Sequence, residues 1–331
     1  MEPLYPLRFR PLFRRYIWGG RRLGDVLNKP IGEGDDYAES WEVVDHGDDQ
    51  SLVAKGELAG QRLHTLMERH TDSLFGESGR FERFPLLFKL LDCQRNLSVQ
   101  VHPNDVQGRR LDPPDLGKTE AWVILDAKPG SKVYAGVKRG FDRPAFEREI
   151  VRGTTDLCLH VIEPLPGDCI FVPAGTVHAL GAGLLVAEIQ QSSDTTFRIF
   201  DWNRTDRDGK PRPLHIDQAL DVIDFQAAPV APQQPVALFE EQAVRLIECD
   251  KFILDRWTIS TDVTLPSDQR FHILYVVEGE LEITGDPEPT PITAGHTLLM
   301  PAHCRESRTI RPRGTAVLLD MYLPSQSADV D

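Results

Sequence analysis

The sequence predicts a mainly β protein built from β-sandwich or jelly-roll units with a few helices. Three observations carry that expectation. Short segments of alternating or continuously apolar residues recur along the chain, each closed by Gly or Pro. Helical spacing, by contrast, shows at 58–76 and again at 215–225. A Pro/Ala/Gln run at 226–236 has no periodicity and reads as a linker between a longer N-terminal part, 1–228, and a smaller part, 237–325.

The elements follow in order. Trp18-Gly19-Gly20 predicts a turn, and Ala38–Val44 a strand. Residues 58–76 predict a helix around Gln61–Met67. Pro85–Leu91 is a buried-strand run, and Leu97–His102 alternates with period two until Pro103 ends it. Glu120–Leu125 and Cys158–Ile162 are further strands. Pro166-Gly167-Asp168 makes a turn into Cys169–Pro173, and Gly181–Gln190 and Thr195–Trp202 continue the alternation. Residues 215–225 place apolar groups three and four apart, as a helix does. In the second part, strands are expected at Phe252–Ser260, Phe271–Val277, Glu280–Thr284, Thr297–Met300 and Thr315–Tyr322. Gly279-Glu280 reads as a hairpin turn, and 324–331 as a frayed polar tail.

Composition narrows the function. The 331 residues carry 37 Lys+Arg against 51 Asp+Glu, a formal charge of −14. Nucleic acid and anionic membrane surfaces both reward dense Lys/Arg, so neither is the expected partner. No stretch approaches a membrane-spanning length and the N-terminus has no apolar signal core, which predicts a cytoplasmic protein. Cys93, Cys158, Cys169, Cys249 and Cys304 are scattered, with no CxxC, and read as reduced thiols.

The sharpest local pattern is Gln100-x-His102. Residues two apart on a strand share a face, so an amide and an imidazole project together. Glu120 follows within Gly117-Lys118-Thr119-Glu120. A second imidazole comes from Gly167-x5-Pro173-x-Gly175-x2-His178, just past a strand and turn. Two His, one Glu and one amide form a shell suited to a borderline divalent cation such as zinc, with positions left open for water or substrate oxygens. Each residue alone has an ordinary reading, as a core histidine, a paired charge or a surface amide. Their joint spacing is what raises a metal site to even standing with those readings.

The Gly-x5-Pro-x-Gly-x2-His pattern resembles the cupin signature. More narrowly, several ordered motifs resemble type I phosphomannose isomerases in their short bacterial form. They are Leu97–Asp105, Gly117–Trp122, Val172–His178 and Glu188–Arg198, with Ala38–Glu42 and Phe84–Lys89 fitting the same family. The resemblance is strong over residues 5–225 and looser beyond. It implies two cupin-type jelly-roll β-barrels. Gly295-x5-Pro301-x-His303-x2-Glu306 echoes the first signature with its Gly and His replaced, so the second barrel is expected to be degenerate, with His272, His296 and His303 structural or exposed.

The resemblance also implies one Zn²⁺ per chain, held by Gln100, His102, Glu120 and His178, and the interconversion of mannose 6-phosphate and fructose 6-phosphate through an enediol. Lys118 falls on an active-site lysine, while Glu188, Asp194 and Arg198 match the family's acidic and arginine positions. Lys89 and Ser98 fall on pocket positions. Lys118, Asp194, Glu188 and a bound water all stand as the base. Arg198, Arg204, Lys89 and Ser98 are the donors offered to phosphate, with a salt bridge to Asp201 or Asp206 as the alternative for Arg204. The partner is thus a small sugar phosphate, and no oligomeric state is assigned. A dianionic substrate and a −14 chain require a focused positive site. The rival readings are a non-catalytic sugar-binding or regulatory cupin, which has no need of Lys118, and an Fe(II) dioxygenase, which favours more His ligands.

Overall fold

The run Leu86–Cys93 is buried at every position, and the reason is its place in the stack. In the computed structural model, which describes residues 3–206, 208–238, 242–265 and 267–325, this strand lies inside a six-stranded sheet. The order there is Cys169–Val172, Glu120–Ala127, Leu184–Gln191, Leu86–Cys93, Tyr37–Val43 and Leu12–Gly20. One face of that sheet meets a five-stranded sheet through Leu91, Cys93, Trp122, Val133, Leu180 and Val186. The other face packs Leu86, Phe88 and Leu90 against Leu7, Ile273, Tyr275 and Met321 of an eight-stranded sheet. A four-stranded sheet covers the far side of the eight-stranded one. Because both faces of the run are covered, it is continuously apolar rather than alternating.

The mainly β expectation therefore holds. The sheets are open stacks, with no closed barrel among the described residues: Cys169–Val172 and Leu12–Gly20 are the edge strands of the six-stranded sheet, the first bridged by Pro232 of the 226–236 run. Local differences have physical causes. Trp18-Gly19-Gly20 ends a strand rather than turning, because Gly20 pairs with Tyr37 of the neighbouring strand, which runs so close that a Cβ on Gly19 would stand 2.5 Å from Ala38 N. The helix at 58–76 breaks into Leu63–Arg69 and Thr71–Phe75, where His70 leaves helical geometry at φ −128°, ψ 31°. Gly279 makes no hairpin. His272–Glu278 pairs with Thr297–Met300 and Ala316–Tyr322, while Glu280–Ile283 pairs in the four-stranded sheet, so Gly279 at φ +84° is a corner between sheets.

Helix Arg143–Arg152, capped by Asp142 and ended by Gly153, was not expected from the sequence. Nor was the strand Leu7–Arg10, which pairs with Thr297–Met300 beyond the 226–236 run. Of the tail, residues 326–331 lie outside the described residues. The cysteines are all free thiols. No helix of the described residues is long and apolar enough to cross a membrane.

Candidate metal centre and substrate cleft

Two rows of side chains face each other between the five- and six-stranded sheets. On the first sheet, Gln100 pairs in register with His178 on one side and Arg198 on the other. On the second, Glu188 pairs with Lys89 and Trp122, and Lys89 with Trp41. Glu120 opens its strand at the same level, and His102 follows the strand Val99–Val101 two residues after Gln100. The strand period alone thus aims the ligand types at one point.

His102, Glu120 and His178 are all buried, and their ligating atoms lie within 4.8 Å of one another. Glu120 Oε1 is 3.2 Å from His178 Nε2, and its Oε2 is 3.6 Å from His102 Nε2. Each imidazole is oriented from behind, because His102 Nδ1 lies 2.9 Å from Thr195 O and His178 Nδ1 lies 2.9 Å from Thr176 O. A carbonyl only accepts, so both Nδ1 atoms carry the hydrogen and both Nε2 lone pairs point at Glu120. Gln100 Nε2 is 3.3 Å from His178 Nε2. Turning that amide through 180° puts its oxygen in the same place.

The donor set fits a divalent cation. Both Glu120 oxygens are buried without a hydrogen bond. Lys118 Nζ, 3.2 Å from Oε2, supplies an ion pair outside hydrogen-bond geometry. Burial, opposed by Lys118 and reinforced by Glu188, pushes the Glu120 carboxyl up to about 7. Burial also pushes His178 down to about 4 and His102 well below its usual value, which leaves both imidazoles neutral and able to ligate. A costly buried carboxylate beside two neutral imidazoles is relieved by a cation placed between them.

A cleft of about 280 Å³ opens beside this cluster, lined among others by Tyr16, Trp18, Glu39, Lys89, Ser98, Lys118, Glu188, Asp194, Arg198 and Arg212. Lys118 Nζ is 3.3 Å from His102 Nε2. Lys89 Nζ sits 3.6 Å from Glu188 Oε1, 4.0 Å from Glu39 Oε2 and 4.8 Å from the centre of the Trp41 ring. The two carboxylates outweigh burial and hold the Lys89 ammonium above its ordinary value. Glu188 also accepts from the Trp122 indole at 3.0 Å. Burial opposes its charge, but Lys118 and Lys89 hold it below the usual carboxylate value. Arg198 donates to Ser98 Oγ at 3.3 Å and to Pro213 O at 2.9 Å. Asp194 is exposed at the rim.

Arg204 is placed differently. Its guanidinium is engaged by Asp201 at 2.9 Å, the pairing that stood as its alternative in the sequence, and it does not line the cleft. Arg212, which no motif of the sequence marked, pairs with the same Asp201 at 2.6 Å and yet lines the cleft. It lies between Pro211 and Pro213, so no periodicity marked which way it faces. Tyr16 and Trp18 share a strand face by their spacing, which was a usable signal. Glu39 lies in Ala38–Glu42, one of the motifs that carry the family resemblance, but nothing local ties it to Lys89. A larger hollow of about 500 Å³, at Ile17, Arg21, Asp36 and Arg95, has no ligating cluster and lies off the site.

Comparison with known proteins agrees with this geometry. Residues 7–135 match the family pattern described as phosphomannose isomerase type I, catalytic domain, and residues 242–317 match the mannose-6-phosphate isomerase cupin domain. The chain is 36% identical over 304 residues to mannose-6-phosphate isomerase ManA of Bacillus subtilis (strain 168), covering 89% of this chain and 93% of that protein. It is 33% identical to the mannose-6-phosphate isomerase of Streptococcus mutans serotype c, over 89% of this chain and 92% of that one. The crystal structure of the mannose 6-phosphate isomerase from Bacillus subtilis superposes with a TM-score of 0.87 at 30% identity, over 96% of this chain and all of that one, 100%. A putative mannosephosphate isomerase from Archaeoglobus fulgidus shares the fold, with a TM-score of 0.76 at 22% identity, over 97% and 98% of the two chains. Identity of this depth along nearly the full length of both chains leaves one conclusion: the chain belongs to the type I phosphomannose isomerase family.

Proposed function

We propose that the protein is a zinc-dependent mannose-6-phosphate isomerase, interconverting mannose 6-phosphate and fructose 6-phosphate through an enediol. The observation that carries this reading is the buried His102–Glu120–His178 cluster with Lys118 Nζ 3.2 Å from Glu120, opening onto a cleft lined by both acids and bases. A simple sugar-binding site has no use for an ammonium wedged against metal-ligating atoms, which sets the non-catalytic alternative aside. Two imidazoles, a carboxylate and an amide suit zinc among the divalent ions. When bound, the ion supplies Lewis-acid stabilisation of charge growing on the sugar's C1 and C2 oxygens.

The chain's own residues do the rest. Isomerisation moves one proton from C2 to C1 of the open-chain sugar and a second from the C2 hydroxyl to the C1 oxygen. A group on one face must therefore take the carbon-bound proton and return it, while a further donor and acceptor exchange the hydroxyl proton. Lys118, Glu188 and Asp194 line the cleft within reach of that role, and a bound water held between them is a fourth candidate. Lys89, held between Glu188 and Glu39, presents a fixed ammonium to the sugar oxygens. Arg198 and Arg212 are the guanidinium groups lining the cleft, and their planar forks of N–H donors suit a phosphate's oxygens. Ser98 adds a hydroxyl beside Arg198. These cations lie in a concave site, so their field is focused there although the whole chain is at −14.

Every residue named here precedes 228, which supports a catalytic unit at 1–228 joined through 226–236 to a smaller, metal-free unit at 237–325. A cytoplasmic location goes with the free thiols. The test is a coupled assay of purified protein with mannose 6-phosphate, alongside metal analysis. About one zinc per chain is expected, with activity lost to chelator and restored by zinc. Metal-loaded protein that leaves mannose 6-phosphate unchanged refutes the reading.

A further inference from the structure

We infer that the smaller C-terminal unit sets the position of Lys118, acting through Lys251 and Asp105 as positioning residues. The starting point is how closely two motifs lie together. Lys118 N–H donates to Pro103 O at 2.9 Å. A Cβ on Gly117 would stand 2.4 Å from Asp105 N and 2.6 Å from Asn104 C, so the two backbones touch and only glycine fits.

Asp105 then pins this contact. Its Oδ1 accepts from Gly117 N–H at 2.9 Å and from Gln191 Nε2 at 2.9 Å. Gln191 Oε1 in turn accepts from Thr119 N–H at 3.0 Å. The backbone N–H groups of the residues on both sides of Lys118, Gly117 and Thr119, are therefore held, and both holds converge on one carboxylate. What steadies that carboxylate is Lys251 Nζ, 2.7 Å from Asp105 Oδ2. Lys251 belongs to the turn between Ala243–Glu248 and Ile253–Ile259, two strands of the eight-stranded sheet. Asp250 holds the same ammonium at 2.9 Å, which fixes it at the junction.

The consequence is a chain of direct contacts from the smaller unit to the catalytic segment. With the ammonium removed, the Asp105 carboxylate is free to turn to water, and the Gly117 and Gln191 hydrogen bonds loosen together. Lys118 and Glu120 then lose the placement that puts Nζ 3.2 Å from Oε2. A shift of about 1 Å at such a site costs on the order of 100-fold in rate.

The kinetic arm of the test rests on the proposed isomerase activity, while the exchange arm does not. In Lys251→Met, the amides of a peptide spanning 116–121 are expected to exchange hydrogen about 5-fold faster or more. Its kcat is expected to fall roughly 5- to 50-fold, with KM and zinc content near those of the parent protein. Lys251→Arg keeps the cation and should restore both. Asp105→Asn should resemble Lys251→Met, and the double variant should be no worse than either single one. Unchanged exchange and kcat in Lys251→Met overturn the inference. So does an equal loss in Lys251→Arg, which would make the role one of packing and not of charge. If the parent protein fails to isomerise mannose 6-phosphate, the function reading falls, and exchange at 116–121 still decides this one.

Discussion

His272 offers a test of the fold's electrostatics far from the metal ligands. It is 3% exposed, with Nδ1 2.8 Å from Asp320 Oδ1 and Nε2 3.1 Å from Asp268 Oδ2. The Tyr322 ring lies 4.6 Å away, tilted by 41°, Arg270 lies over that tyrosine, and Arg308 reaches Asp268 at 3.5 Å. Burial opposes the imidazolium, but Asp320 and Asp268 outweigh it and push His272 up to about 9 from its ordinary 6.5. The folded value lies above the unfolded one, so the stabilisation is fully present below about pH 6.5 and is lost as pH rises through about 9. A shift of that size is worth about 3 kcal/mol at most, and roughly 2 kcal/mol of it disappears between about pH 7 and pH 9.5. Burial and its bond to Asp255 keep the Tyr322 hydroxyl neutral in the folded protein, and its ordinary value of 10.0 lies above that window, so its contribution there is small. Urea unfolding followed by fluorescence at about pH 7, 8 and 9.5 measures this directly. The parent protein should lose about 2 kcal/mol more than His272→Gln, which is less stable at pH 7 and keeps only the fall that both proteins share from buried thiols such as Cys93 and Cys169, whose folded values burial raises. Parallel curves for the two proteins would show that His272 is not the titrating group.

Other expectations concern the site. Lys118→Ala should lower kcat at least 100-fold while zinc content, measured by metal analysis, stays near normal, since loss of a positioned proton-transfer group costs about 10²–10⁴-fold. Arg212→Ala should raise KM for mannose 6-phosphate about 10- to 100-fold, the range for losing a charge-assisted hydrogen bond, with a smaller effect on kcat in the same coupled assay. Glu120→Gln removes the charge that offsets a bound cation, so zinc titration should show affinity lowered by at least 10-fold. Gly117→Ala forces a Cβ against the Asp105 backbone, and thermal unfolding should show a loss of about 1–3 kcal/mol.

The parts of this molecule legible in the sequence are those governed by local period. Gln100 and His102 announce themselves because a strand repeats every two residues, and Leu86–Cys93 because both its faces are covered. His178 and Glu120 could be nominated from turn chemistry and motif order. What stayed hidden depends on partners distant in the chain. Leu7–Arg10 is too short to reveal that it joins strand Thr297–Met300. Gly279 looks like any hairpin glycine until the neighbouring sheets show that the chain changes layers there. Glu39 matters to the site only because strand register sets it beside Lys89. Arg212 enters the cleft from an irregular loop, where no period operates. Arg204 and Arg212 both reach Asp201, and sequence spacing alone had no means of ranking them.

The pairing of Leu7 with Leu299 also bears on how the protein is made. The two residues are roughly 290 apart, so at typical synthesis rates the first strand waits roughly 15 to 60 s for its partner to emerge. Through that interval the face carrying Leu86, Phe88, Leu90 and Ile189 lacks the part of its cover that Ile273, Tyr275, Leu299 and Met321 supply, and the edge of the first strand that faces Leu299 is unpaired. A nascent chain of this design is a client for chaperones until its last sheet closes. Cutting the gene at 226–236 would make that exposed state permanent, and the severed N-terminal fragment should collect in inclusion bodies.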